Sequence, residues 1–98
     1  KYSLIDQIRR SSRSVCANLA EAWRRRRYKG SFLLRLNDAE AEAAESQVWL
    51  KFAVKCQYLD IETGRKLYGQ YNKVLGLIVI MTNNADKWLL KTPKSPKS

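Results

Sequence analysis

The sequence contains no histidine. That absence removes imidazole from every catalytic and metal-binding scheme at once. Ser–His–Asp and Cys–His nucleophilic sites, His-ligated metals, HExxH metalloproteases and bundle ribonucleases with an R-x4-H motif all need it. Cysteine is scarce: Cys16 and Cys56 stand far apart with no CxxC pair. Two thiols cannot complete a four-ligand zinc site, and a disulfide-stapled secreted domain of this size carries more. They read as buried free thiols in a cytoplasmic protein. Proline is absent before Pro93 and glycine occurs only four times, so little interrupts the first ninety residues. The longest apolar run, Val74–Met81, is broken by Gly76 and is too short to span a bilayer. No signal-peptide core is visible. The chain starts at Lys1 without Met, which suggests a natural N-terminus further upstream.

Acidic residues are also few. Nine Asp and Glu face 19 Lys and Arg, a formal charge of +10 over 98 residues. So basic a domain repels itself unless a polyanion, a membrane surface or an acidic protein takes up the charge. The 45% hydrophobic and 29% charged composition is that of one folded domain. A domain of this size buries only roughly 60–65% of its unfolded surface. Neither enzymatic activity nor a cofactor is expected.

The pattern of apolar residues predicts three helices, at about 3–27, 32–57 and 62–90. In the first, Ile5, Ile8, Ser12, Val15, Leu19 and Ala22 recur at alternating three- and four-residue steps, with Leu4, Cys16 and Trp23 widening the stripe. In the second, Ser31 is the expected N-cap after Gly30. Leu36, Ala39, Ala43, Ser46, Leu50 and Ala53 repeat the spacing, with small residues that admit a close neighbour. The third carries Leu67, Tyr71, Val74, Ile78, Met81, Ala85 and Trp88. Leu75, Leu77, Val79 and Ile80 make its middle apolar all round, which calls for more than one neighbour. A strand over Leu77–Met81 is the competing reading of that run. Gly69 and Gly76 lie seven apart on one face, where a helix could pack tightly. The KTPKSPKS segment, 91–98, reads as a disordered basic tail. The fold expected is an all-α antiparallel bundle. Its apolar excess requires either a fourth helix before Lys1 or association of subunits through Leu75, Leu77, Val79 and Ile80.

Charge is unevenly spread: residues 1–30 carry a net +7, 31–60 a net −2, and 61–98 a net +5. The densest element is Arg24-Arg25-Arg26-Arg27-Tyr28-Lys29 at the end of the first helix. One or two cations satisfy the negative end of a helix dipole. Four consecutive arginines exceed that need, point all round a helix and repel one another without a counter-anion. Arginine grips phosphate bidentately, and Trp23 and Tyr28 offer faces on which unpaired bases could stack. Arg9, Arg10 and Arg13 extend this surface or form a plain solvated face. The run could instead pair with acids between subunits, or simply be solvated.

The opposite patch, Asp38, Glu40, Glu42 and Glu45, lacks the Glu-x-x-His pairs of di-metal bundles, so it reads as partners for arginines rather than a metal site. Trp49 and Trp88 lie on or beside the apolar stripes and read as packing or interface residues. Membrane-surface binding is disfavoured because the basic helix has no broad apolar face free of core duty.

The stretch Gln7-Ile8-Arg9-Arg10-Ser11-Ser12-Arg13-Ser14-Val15-Cys16-Ala17-Asn18-Leu19-Ala20-Glu21-Ala22 resembles the signature of the bacterial four-helix-bundle proteins of 23S rRNA intervening sequences. That signature reads QIRRA, then S-[IV]-P-x-N-[IL]-A-E-G and basic residues. Phe32–Leu36, Ala39–Glu45 and Tyr58-Leu59 fall where that family has further motifs. Cys16 and Ala22 replace its usual Pro and Gly, which favours a straight first helix. The resemblance implies that the three helices are the last three of a four-helix bundle. It also implies a hydrogen-bonded polar layer at Asn18, Glu21 and Glu45. Relatives include the accessory proteins of diversity-generating retroelements, which form pentameric rings and bind nucleic acid and a reverse transcriptase. The combined expectation is a cytoplasmic, non-enzymatic homo-oligomer, by resemblance a pentamer. It would bind RNA or DNA through phosphates, at Arg9, Arg10, Arg13, Arg24, Arg25, Arg26, Arg27, Tyr28 and Lys29, and by resemblance a reverse transcriptase-like protein. The alternative is a scaffold for an acidic or polymerase-type partner.

Overall fold

A computed structural model describes residues 2–90, and they form an all-α bundle. The helices are α1 (Tyr2–Arg24), α2 (Lys29–Lys55), α3 (Ile61–Asn83) and a single closing turn, α4 (Ala85–Trp88). The 91–98 segment lies outside the described residues. α2 is the central element: it packs against α1, α3 and α4, whereas the backbones of α1 and α3 do not approach each other. Across that gap the two outer helices are linked by a hydrogen bond between the Ser12 and Tyr71 hydroxyls.

The central position of α2 follows from its composition. Phe32, Leu36, Ala39, Ala43, Ser46, Gln47, Leu50 and Ala53 are all buried, and three alanines and a serine among them keep the helix thin enough for neighbours on two sides. Ser46 satisfies its hydroxyl within the helix by donating to the Glu42 carbonyl at 2.9 Å. Gln47 bridges to α3, donating to the Tyr68 carbonyl at 3.2 Å and to Asn72 Oδ1 at 2.7 Å. The main core gathers Ala22, Phe32, Leu36, Ala39, Ile78 and Ala85, with Leu19, Val74, Met81 and Trp88 packed around it.

The helix ends differ from the sequence expectation in ways that matter for function. α1 stops at Arg24, and Arg25–Arg27 form a turn closed by Tyr28 N–H donating to the Arg25 carbonyl at 3.0 Å. The N-cap of α2 is Tyr28, in extended backbone, rather than Ser31, which sits in the first helical turn. α3 stops at Asn83 instead of running on to 90. Asn84 donates its side-chain amide to the Ile80 carbonyl at 3.0 Å, and the chain then turns so that Ala85 enters the core. Asparagine competes locally for backbone bonds, which weakens helix continuation at this point. Leu77–Met81 is helical, so the strand reading is overturned.

At the other end, α2 closes with paired bonds from Tyr58 N–H to the Ala53 carbonyl (2.9 Å) and from Gln57 N–H to the Val54 carbonyl (3.0 Å). This Schellman arrangement requires a left-handed residue, and Gln57 supplies it at φ 61° where glycine is the usual choice. α3 then starts on Asp60, whose carboxylate accepts from Thr63 N–H at 3.1 Å. That hydrogen bond holds the Asp60 carboxyl below its usual range.

Candidate nucleic-acid interface

Arg24 ends α1, and the rest of the arginine run, Arg25–Arg27, is the connection to α2 rather than a stretch of helix. Its side chains therefore do not radiate evenly round an axis, and each has a distinct environment. Arg24 Nη1 and Arg25 Nε lie 2.9 and 3.0 Å from the two oxygens of Glu21, so one carboxylate serves two cations. The Arg25 hydrogen bond is the main reason the Glu21 carboxyl is held below its usual range, helped by the charges of Arg24, Arg25 and Arg35. Arg26 lies over the Trp23 ring at 3.5 Å and donates to the Trp23 carbonyl at 2.8 Å. Arg27 is exposed and has no ion-pair partner among the described residues. Tyr28 is 68% exposed, and Lys29 reaches Asp86 across to α4 at 3.1 Å.

Trp23 is 46% exposed, with neighbours on part of its ring. Arg26 lies over its ring, and Trp88 packs against it with ring centroids 6.0 Å apart. Tyr28, 68% exposed, is the more open of the two aromatics beside the arginines. The chain closes on this same turn: Leu90 N–H donates to the Arg26 carbonyl at 3.0 Å. That contact fixes the backbone of the arginine turn from the far end of the sequence, which no local pattern announces.

Arg9, Arg10 and Arg13 are exposed on α1, with Arg13 Nε donating to the Arg9 carbonyl at 3.4 Å. Asn18, Glu21 and Glu45 do not form one polar layer. Asn18 donates to the Ser14 carbonyl at 2.9 Å, Glu21 holds Arg24 and Arg25, and Glu45 accepts from Trp49 Nε1 at 3.1 Å. The polar tie between α1 and α2 runs instead through Arg35. Its Nη1 lies 3.4 Å from Asn18 Oδ1 and 3.6 Å from Asp38, and its Nε is buried without a partner. Sequence reading gave Arg35 no role; its signal was a lone arginine between two apolar core positions, Phe32 and Leu36.

Cys16 and Cys56 are both exposed free thiols, not buried ones. Cys16 points off the apolar stripe beside Val15, and Cys56 caps the exposed end of α2. Of the residues expected to bind neighbouring subunits, Leu77, Val79 and Ile80 are exposed, whereas Leu75 is half-buried. No helix among the described residues is long and apolar enough to cross a membrane.

No curated protein and no solved structure matches this chain. The family described as 23S rRNA-intervening sequence protein matches residues 1–79, which span α1, α2 and most of α3, while α4 and Trp88 lie beyond the match. With its helical bundle and its QIRR segment inside that match, the chain belongs to the 23S rRNA-intervening sequence protein family.

Proposed function

We propose that this chain is a non-enzymatic nucleic-acid-binding protein that contacts RNA or DNA through phosphates with low sequence specificity. The observation that carries the reading is the charge balance at the α1–α2 turn. There, only two of four consecutive arginines, Arg24 and Arg25, find an intramolecular carboxylate, that of Glu21, beside an exposed Tyr28. Arg27, exposed and without an ion pair among the described residues, is free for bidentate phosphate contact, and Tyr28 supplies a stacking surface beside it. The family's description is consistent with a link to RNA.

The same reading includes self-association. Leu77 is 61% and Ile80 55% exposed, and a Cβ added at Gly69 or Gly76 would meet nothing within 4 Å. An apolar face with open glycines suits a second copy of the chain. Assembly into a ring, a pentamer by family resemblance, would gather several arginine turns and multiply weak contacts by avidity.

Fluorescence-anisotropy titration of short RNA and DNA oligonucleotides at several salt concentrations tests the proposal. A log–log slope of about −3 to −5 corresponds to roughly four to six neutralised phosphates. Absence of binding at low salt would overturn it. Failure of a random oligonucleotide to compete with an acidic protein partner would favour the scaffold reading instead.

A further inference from the structure

At the pole opposite the arginine turn, the last turns of α2 and the first turns of α3 flank an open groove of about 500 Å³. Its floor is apolar and closed. Leu50 is buried there, and α3 presses so near to α2 that a Cβ at Gly64 would stand 2.4 Å from Val54 Cγ2. Ile61, 54% exposed, and Tyr68 form the apolar wall from α3. Cations stand along both banks: Lys51 and Lys55, one helical turn apart on α2, and Arg65 on α3. None of the three is ion-paired among the described residues, and no carboxylate lines the groove. The Lys51 ammonium sits 5.3 Å from the Tyr68 ring centroid, so a body lying against that ring would have a positive charge beside it.

This combination differs from the arginine turn in kind. A polynucleotide presents charge along its whole length and gains little from an apolar trough. A groove of this size falls in the ~300–1,000 Å³ range of small-molecule sites, which pair an apolar lining with a few placed polar groups. We propose that the groove binds small amphipathic carboxylates, compounds with an aliphatic or aromatic body and a single anionic head. The body covers Leu50, Val54, Ile61 and Tyr68, and the head lies between Lys51 or Lys55 and Arg65. The site is independent of the nucleic-acid reading.

Isothermal titration of the full chain with dodecanoate, held below its micelle concentration, tests the proposal. Dodecylammonium and dodecanol serve as matched controls of opposite and zero charge. The expected result is saturable binding of dodecanoate, at least about tenfold weaker binding of both controls, and at least about tenfold loss in Lys51→Glu/Lys55→Glu/Arg65→Glu. Circular dichroism confirms that this surface variant remains helical. Ile61→Asp, at a half-exposed position, provides a second variant with the same expected loss. Replacing Arg24–Arg27 with alanine should leave dodecanoate affinity unchanged, which separates this test from that of nucleic-acid binding. No binding, equal binding of dodecylammonium, or full binding by the triple variant overturns the proposal. So does a triple variant that dissociates an oligomer, seen by sedimentation, while dodecanoate fails to bind, because the groove is then a contact between copies.

Discussion

At the α1–α2 end, cations crowd onto an exposed turn where Glu21 pairs Arg24 and Arg25 and Asp86 pairs Lys29. At the α2–α3 end, about 40 Å away along the 27 residues of α2, three cations stand apart around an apolar trough. Net charge alone would assign both ends the same ligand. Their immediate surroundings do not: guanidinium density beside an exposed tyrosine suits a string of phosphates, whereas isolated cations over buried Leu50 and half-buried Val54 suit one charge on an apolar body. The core is also uneven. Phe32, Ile78 and Ala85 join three elements near the arginine end, while the groove end relies on the close approach of Gly64 to Val54.

Breaking this asymmetry gives graded effects. Phe32→Ala should have the largest, a loss of about 3–5 kcal/mol in urea unfolding, because the ring is fully buried where helices α1–α3 meet. If the variant lost under 1 kcal/mol, the shared core would not anchor the arginine end. Gly64→Ala should cost about 1–3 kcal/mol through the clash with Val54, and adding Val54→Ala should recover much of it. Gly76→Ala should do the opposite in the monomer, stabilising by up to about 1 kcal/mol because the position is helical and open. If Gly76 sits at a contact between copies, the same change should weaken association in sedimentation equilibrium. Gln57→Gly, by relieving a left-handed glutamine, should raise stability by about 1 kcal/mol, read from the thermal midpoint.

Acid sharpens the comparison least. The Asp60 and Glu21 carboxyls are both held below their usual range, so each stabilises the fold above the ordinary carboxylate range and loses that contribution as pH falls through its lowered value. Asp60→Asn should remove a small part of the pH dependence of the melting temperature between neutral pH and strong acid. An unchanged pH profile would show that the carboxylate is not the source.

The sequence pattern conveyed the helical stripes well because burial follows the same spacing that periodicity reads: Val15, Ala22, Leu36, Ala39, Ala43, Leu50, Ala53, Ile78 and Ala85 are all buried. Its failures are at the ends. The turn at Arg25–Arg27 is met by Leu90 N–H bonding to the Arg26 carbonyl, a contact across more than sixty residues that carries no local signature. The contact of Trp88 with Trp23 was hidden for the same reason. The trough beside Lys51, Lys55 and Arg65 was equally illegible, since it exists only once α2 and α3 lie side by side. The thiols were misread because cysteine is commonly buried, whereas Cys16 lies off the stripe and Cys56 ends a helix.

The most direct test of the central claim compares salt-dependent oligonucleotide titrations of three proteins: the wild type, Arg24–Arg27→Ala, and Lys51→Glu/Lys55→Glu/Arg65→Glu. The account predicts that removing the four arginines flattens the log–log slope by about 3–4, at roughly 0.7–0.9 per lost phosphate contact. It also predicts that the groove variant loses affinity with salt screening alone and keeps a slope near that of the wild type. An undiminished slope without the arginines, or a slope that collapses in the groove variant, would contradict the assignment of nucleic acid to the arginine turn.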